Sequence, residues 1–93
     1  MPTNITQIDD TERGRVILRV EGEMLRDDAL LIERIGLGLR SENDSEIAID
    51  LADLDLLDSE SASVLKRLER EHGFELIGIE IFLQSVVNHA EKH

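Results

Sequence analysis

The sequence predicts an α/β fold, in which helices pack on one mixed β-sheet. Short apolar runs ended by glycine or polar residues are typical of strands, and the segments between them carry apolar residues at helical spacing. The predicted order is β-β-α-β-α-β-α, and such alternation favours a mixed sheet with helices packed on it. Ninety-three residues with 41% hydrophobic content can bury one modest core, so residues 1–93 are predicted to form a single domain.

The N-terminal part predicts two strands joined by a turn. Residues 5–10 are expected to form a short edge strand, and residues 11–14 a turn in which Gly14 supplies the permissive backbone. Residues 15–21 hold four aliphatic side chains, enough for a strand that is largely covered on both faces. Gly22 is expected to end that strand.

A first helix is predicted from a cap at Asp27 or Asp28 to about Arg40. Gly36 and Gly38 lower its intrinsic propensity, and their small size permits close packing on the sheet. Its apolar stripe is Leu31, Ile32, Ile35 and Leu39.

The second half predicts a strand at residues 46–51, a connection at residues 52–57 and a second helix from Ser59 or Glu60 to the stop at Gly73. The apolar face of this helix is Ser61, Val64, Leu65 and Leu68.

A further strand and a last helix complete the predicted order. Residues 74–79 are expected to be extended, and apolar residues at helical spacing follow them. One side of the last helix would carry Leu83, Val86, Val87 and Ala90.

Composition restricts the class of partner. The chain has 21 acidic against 10 basic residues, a formal net charge of -11, and an aromatic content of 2%. Nucleic acid and anionic membranes demand a basic face, so the acidic charge indicates instead either a basic protein partner or simple solubility. The absence of cysteine excludes disulfides and thiolate chemistry. Neither a membrane span nor a signal-peptide pattern is recognised, so we expect a soluble cytoplasmic protein without membrane insertion.

The start of the second helix is the candidate site. A hydroxyl at a strand-to-helix turn lies near free backbone N–H groups and the positive end of the helix dipole, so Ser59 is a candidate for phosphate or partner contact. The alternative is that Ser59 is only the helix N-cap. Glu60 suits the first helical turn on electrostatic grounds alone. Ser61 is expected to pack as a small residue against the sheet.

No catalytic or metal-binding pattern is recognised. The acidic residues between the third strand and the second helix lack the alternating oxygen ligands and the central glycine of a calcium loop. Nucleophile elbows and glycine-rich phosphate loops are also absent from the sequence. The sequence therefore predicts a protein that is not an enzyme and that uses no cofactor or metal. The acidic residues concerned are Asp50, Asp53, Asp55 and Asp58.

Three short motifs in fixed order resemble the STAS domain, the family of anti-sigma-factor antagonists and of the cytoplasmic tails of sulphate transporters. The resemblance covers residues 16–90. Gly22-Glu23-Met24 is similar to the family's Gly-Glu-Leu, and a strand ending in Asp-Leu precedes an Asp-Ser pair at the family spacing. The latter two motifs are Asp50-Leu51 and Leu57-Asp58-Ser59.

The resemblance implies a regulatory protein similar to an anti-sigma-factor antagonist. In that branch a partner anti-sigma kinase phosphorylates the serine directly after the aspartate, and Ser59 is the matching position. The added charge of about −1.5 to −2 and the bulk of a phosphate would eject the partner. The implied partner-binding residues are Asp58, Ser59, Glu60 and Ser61.

The chain departs from the family pattern at three positions, and these keep an alternative open. Glu60 stands at the family's second serine, Ser61 at its glycine, and Leu25 where many antagonists carry an aspartate that Asp27 or Asp28 would have to replace. The alternative is a non-phosphorylated scaffold, or a subunit of a transporter with its ATPase subunit or of a stress-signalling complex. Weak homodimerisation through the sheet edge also stays open, although like charge opposes it.

Overall fold

The computed structural model describes residues 3–80, and five strands and two helices lie within that range. The predicted last helix, with Leu83, Val86, Val87 and Ala90, lies outside the described residues. The elements are β1 (Asn4–Asp10), β2 (Arg15–Met24), α1 (Arg26–Asn43), β3 (Glu46–Asp50), β4 (Leu54–Leu57), α2 (Ser59–His72) and β5 (Glu75–Ile77).

The strands form one mixed sheet, which confirms the predicted fold class. Its order is β1-β2-β3-β5, and β4 also pairs with β2. The edge strand β1 runs antiparallel to β2, whereas the β2–β3, β2–β4 and β3–β5 pairs are parallel. The parallel pairs are connected through α1 and α2, as βαβ units require.

The two faces of β2 differ, so the expectation that both are covered is wrong. Val16, Leu18 and Val20 are buried on one face, where they join the core, and the residues between them are only half-buried. On the other face Arg15 contacts carboxylates of β1 and β5. Its Nε lies 3.0 Å from Asp10 and its Nη1 2.8 Å from Glu75. Ion pairs therefore occupy part of the second face.

Gly22 bends β2 and does not end it. Its φ of 86° lies in the left-handed region, and the β2–β4 register shifts between Gly22 and Glu23. Arg15–Arg19 pair with β3 before this bend, and Gly22–Met24 pair with β4 after it. The prediction that residues 52–57 are only a connection is also wrong, because four of them form β4. Glycine allows the bend, since it adopts positive φ without steric cost.

Helix α1 starts earlier and ends later than predicted. Its N-cap is Leu25, whose backbone N–H donates to the Asp28 carboxylate at 3.0 Å, so neither Asp27 nor Asp28 is the cap. The helix continues past the predicted end at about Arg40, to a left-handed residue at Asp44. Leu31, predicted to be buried, is 44% exposed.

Close contact between α1 and Phe74, which follows α2 in the chain, depends on Gly36. A Cβ atom there would lie 2.6 Å from a ring carbon of Phe74, so no larger residue fits without a shift. The same Cβ would lie 3.5 Å from Cγ2 of Ile47 in β3, so the predicted close packing on the sheet is confirmed at Gly36. A Cβ at Gly38 would meet nothing within 4 Å. The Arg40 guanidinium lies 4.7 Å from the centre of the same ring, within the range of a cation–π contact.

Helix α2 matches its prediction at both ends and on its buried face. It begins at Ser59 and ends at His72, and Gly73 follows with a φ of 68°. All four predicted apolar-face residues are buried. The core they join is aliphatic apart from Phe74. It consists of Val16, Leu18, Val20, Met24, Ala29, Ile32, Ile47, Ile49, Leu51, Leu54, Val64, Leu65, Leu68 and Phe74.

Candidate functional site

Two hydrogen bonds join the end of β2 to the start of α2. The Met24 carbonyl accepts from the Ser61 hydroxyl at 3.0 Å and from the Asp58 backbone N–H at 3.3 Å. Ser61 is fully buried, which confirms that it packs as a small residue. Its predicted place among the partner-binding residues is therefore wrong, because a sealed side chain cannot touch a partner. Ser61 instead lies beneath the surface that carries Ser59, where its hydroxyl fixes the start of α2 to the end of β2.

Asp58 is the N-cap of α2. Its backbone is extended, with φ -83° and ψ 168°, and its carboxylate accepts from the Ser61 backbone N–H at 2.7 Å. The alternative that Ser59 is the cap is thus wrong. Ser59 is the first residue of the helix, and its hydroxyl is not required to hold the helix start.

Asp58 also links the starts of the two helices. Hydrogen bonding by the Ser61 hydroxyl, then by the Ser61 backbone N–H, holds the pKa of Asp58 below its usual value, and the Arg26 backbone N–H acts in the same direction. The lowered pKa means that Asp58 stays charged to a more acidic pH than an ordinary aspartate, and the positive end of the α2 dipole favours this charge.

The Ser59 side chain is exposed. Within residues 3–80 its hydroxyl has no hydrogen-bond partner, whereas its backbone carbonyl accepts from the Ser63 hydroxyl at 3.1 Å. The backbone of this turn is held by the bonds of Asp58 and Ser61. Ser59 therefore presents a free hydroxyl from a fixed position.

Arg26 is the residue that sequence reasoning missed. Its Nε lies 3.7 Å from a carboxylate oxygen of Glu60, and each of the two side chains is 66% exposed. Its backbone N–H donates to Asp58, so Arg26 contacts both chain neighbours of Ser59. A signal was present in the sequence, because a cation at the start of a helix is disfavoured by the dipole and so calls for a local reason.

Two exposed leucines lie beside these charges. Leu25 is 42% and Leu56 47% exposed. Glu23 pairs with Leu56 in the β2–β4 register, and the extended Leu25 lies two residues beyond Glu23. Because side chains alternate along extended chain, Leu25 and Leu56 are placed on the same side. We call Leu25, Arg26, Leu56 and residues 58–60 the Ser59 corner.

Two other acidic residues of this region, Asp50 and Asp53, have separate structural partners. The Asp50 carboxylate accepts from the Ala52 backbone N–H at 3.0 Å, and Asp53 accepts from the Arg19 Nε at 2.8 Å. Among residues 3–80, no three histidine, cysteine or acidic side chains are grouped so as to hold a metal ion. No helix of the same residues has the length and apolar character needed to cross a membrane.

Comparison with known proteins identifies the fold. No family model and no curated protein matches the chain. An antisigma-factor antagonist STAS domain from Rhodobacter sphaeroides is similar in structure, with a TM-score of 0.59 and 18% identity over 85% of this chain and 89% of that one. An uncharacterised protein with a SpoIIAA-like fold from Shewanella loihica PV-4 has a TM-score of 0.54 and 20% identity over 92% of this chain and 76% of that one. The chain therefore has a STAS-like fold.

Proposed function

We propose that this protein is a cytoplasmic regulatory domain that binds a kinase-type anti-sigma partner through the Ser59 corner and is switched by phosphorylation of Ser59. The observation that carries the proposal is the exposed, unbonded Ser59 hydroxyl on the fixed first turn of α2. A kinase needs a hydroxyl that is free to enter its active site, whereas a hydroxyl already serving as a helix cap would have to be released first.

The surroundings of Ser59 suit a protein partner. Leu25 and Leu56 offer exposed apolar contact, and Asp58 and Glu60 add carboxylates beside them. Interfaces commonly combine apolar contacts near the centre with a polar rim. The chain's net charge of -11 favours a partner surface that is basic around an apolar depression.

Phosphorylation would switch this contact through charge and bulk. The Ser59 oxygen attacks the terminal phosphorus of a nucleoside triphosphate, the hydroxyl proton passes to a base of the kinase, and nucleoside diphosphate leaves. The phosphoserine adds about −1.5 to −2 charge and three acceptor oxygens. Because it would lie beside the Asp58 and Glu60 carboxylates and would have to be desolvated in the docked complex, docking would weaken.

The domain itself is proposed to act by binding, with no catalytic step and no cofactor of its own. The Ser59 hydroxyl would need a nearby base to act as a nucleophile. His72, the histidine of the described residues, lies at the opposite end of α2 from Ser59. The same separation favours a partner kinase as the source of the base.

Labelling by the partner kinase tests the proposal. The purified domain is incubated with that kinase and ATP, and phosphate is located by tandem mass spectrometry. We expect one phosphate on Ser59 and none on the Ser59→Ala variant. Ser63→Ala is the matched control, because Ser63 is an exposed serine of the same helix, and it should be labelled like the unaltered protein. Equal labelling of Ser59→Ala would contradict the assignment.

A second candidate is a scaffold that is never phosphorylated, such as a non-catalytic subunit beside a transporter ATPase subunit. Glu60 favours it, since a permanent carboxylate beside Ser59 already gives this surface negative charge. Binding to an ATPase subunit that Glu60→Gln abolishes and Ser59→Ala leaves intact would support this candidate. Labelling of Ser59 would support the first proposal.

A further inference from the structure

We propose that Arg26 is the internal counter-ion of phosphoserine 59, and that phosphorylation transfers its guanidinium from Glu60 to the phosphate. This inference rests on the proposed function, in which Ser59 carries the phosphate. It adds a rearrangement within the protein itself, because phosphoserine 59 at the start of α2 would be bound by Arg26 at the start of α1. Arg26 then determines how much of the phosphate charge a partner meets.

The placement of Arg26 is the first argument. Ser59 lies between Asp58, which accepts from the Arg26 backbone N–H, and Glu60, which lies 3.7 Å from the Arg26 Nε. A residue that contacts both neighbours of Ser59 lies within side-chain reach of it. The long arginine side chain is 66% exposed, so it can change direction without disturbing the core.

The strength of the competing interactions is the second argument. The Arg26–Glu60 pair is exposed and long, and such pairs contribute little to stability. A phosphoserine offers about −1.5 to −2 charge and three oxygens, to which a planar guanidinium can donate two parallel hydrogen bonds. The exchange therefore replaces a weak pair by a stronger one.

Other charged groups around the phosphate do not take over this role. Asp27, Asp58 and Glu60 are carboxylates at the two helix starts and raise the cost of a second negative charge. The first N–H groups of α2 attract the phosphate, but they are present whatever residue stands at position 26. Replacing Arg26 alone thus isolates the contribution of its guanidinium.

The test uses protein in which phosphoserine is incorporated at position 59 during translation, so that it needs no kinase. The phosphorus-31 NMR signal is titrated with pH in the unaltered, Arg26→Lys and Arg26→Gln backgrounds. We expect the midpoint of the second phosphate ionisation to lie at the lowest pH in the unaltered protein, because Arg26 favours the doubly charged form. Arg26→Lys should shift it upward slightly, and Arg26→Gln further.

Arg34→Gln is the matched control, since Arg34 is an exposed arginine of α1 and the substitution removes the same charge. The midpoint of the second phosphate ionisation in Arg34→Gln should equal that of the unaltered protein. The shift caused by Arg26→Gln should become smaller in 1 M salt, where the Debye length is about 3 Å. Equal midpoints in the Arg26→Gln and unaltered proteins would overturn the inference. Failure of a kinase to label Ser59 would instead overturn the proposed function and leave this titration unaffected.

Discussion

The two helices of this domain begin side by side but are held by different means. Helix α2 begins with a side-chain cap from Asp58 and with the buried Ser61, whose hydroxyl reaches the end of β2. Helix α1 begins at Arg26, and its N-cap Leu25 has no side chain able to cap and is 42% exposed. The start of α1 is held instead by the Asp28 carboxylate, which accepts a hydrogen bond from the Leu25 backbone N–H.

The difference explains how this surface can combine a fixed backbone with side chains that are free to make contacts. Asp58 and Ser61 use their polar atoms to fix the backbone around Ser59, which leaves the Ser59 hydroxyl unused. At the start of α1 the position that commonly carries a polar cap carries an apolar side chain instead, open to contact. The proposed partner-docking surface uses both properties, a fixed hydroxyl at Ser59 and an exposed side chain at Leu25.

The largest effect is expected from removing the buried support of α2. Ser61→Ala deletes the hydroxyl that bonds Met24 O at 3.0 Å, although the Asp58 N–H still reaches that carbonyl at 3.3 Å. We expect the free energy of unfolding to fall by about 1–2 kcal/mol, because a buried carbonyl loses its better donor. Urea unfolding measures this. Ser63→Ala, on the exposed side of α2, should change the free energy of unfolding by less than about 0.5 kcal/mol. An equal loss of stability in the two variants would contradict the claim that the Ser61 hydroxyl stabilises the start of α2.

A smaller and pH-dependent loss is expected from Asp58→Ala. The pKa of Asp58 is lowered in the folded protein, mainly by Ser61, so its contribution is complete above the unfolded carboxyl pKa of about 3.9 and is lost as the pH falls through the folded value. The difference in melting temperature between Asp58→Ala and the unaltered protein should be largest near pH 7 and should disappear in acid. Asp28→Ala, the matched change at α1, should cost about 0.5 kcal/mol or less. A gap that widened in acid would contradict this account of Asp58.

Much of the fold was predictable, because period-2 and period-3.6 patterns report burial directly. The limits and buried face of α2 follow from Ser61, Val64, Leu65 and Leu68, which repeat at helical spacing and end at a glycine. Strand β4 was missed because two of its four residues are exposed, which blurs the apolar pattern. The strand also gains its partner β2 only through the bend at Gly22, which is a tertiary event.

The candidate site was predictable in its position and only partly in its chemistry. Ser59 at the start of α2 follows from local sequence, and so does the packing of Ser61. The assignment of the cap was wrong because Asp58 and Ser59 are both good caps, and only the backbone decides between them. Arg26 could not be found by local spacing, since it reaches Asp58 and Glu60 from another helix, more than thirty residues away in the chain.

Amide hydrogen exchange in the first turn of α2 tests the central claim most directly. The Ser61 N–H donates to the Asp58 carboxylate at 2.7 Å and the Ala62 N–H to the Asp58 carbonyl at 3.0 Å, whereas among the described residues no acceptor is found for the Ser59 and Glu60 amides. The account predicts slow exchange at residues 61 and 62, fast exchange at residues 59 and 60, and loss of protection at residue 61 in Asp58→Ala. Protection of the Ser59 amide equal to that of Ser61 would contradict it.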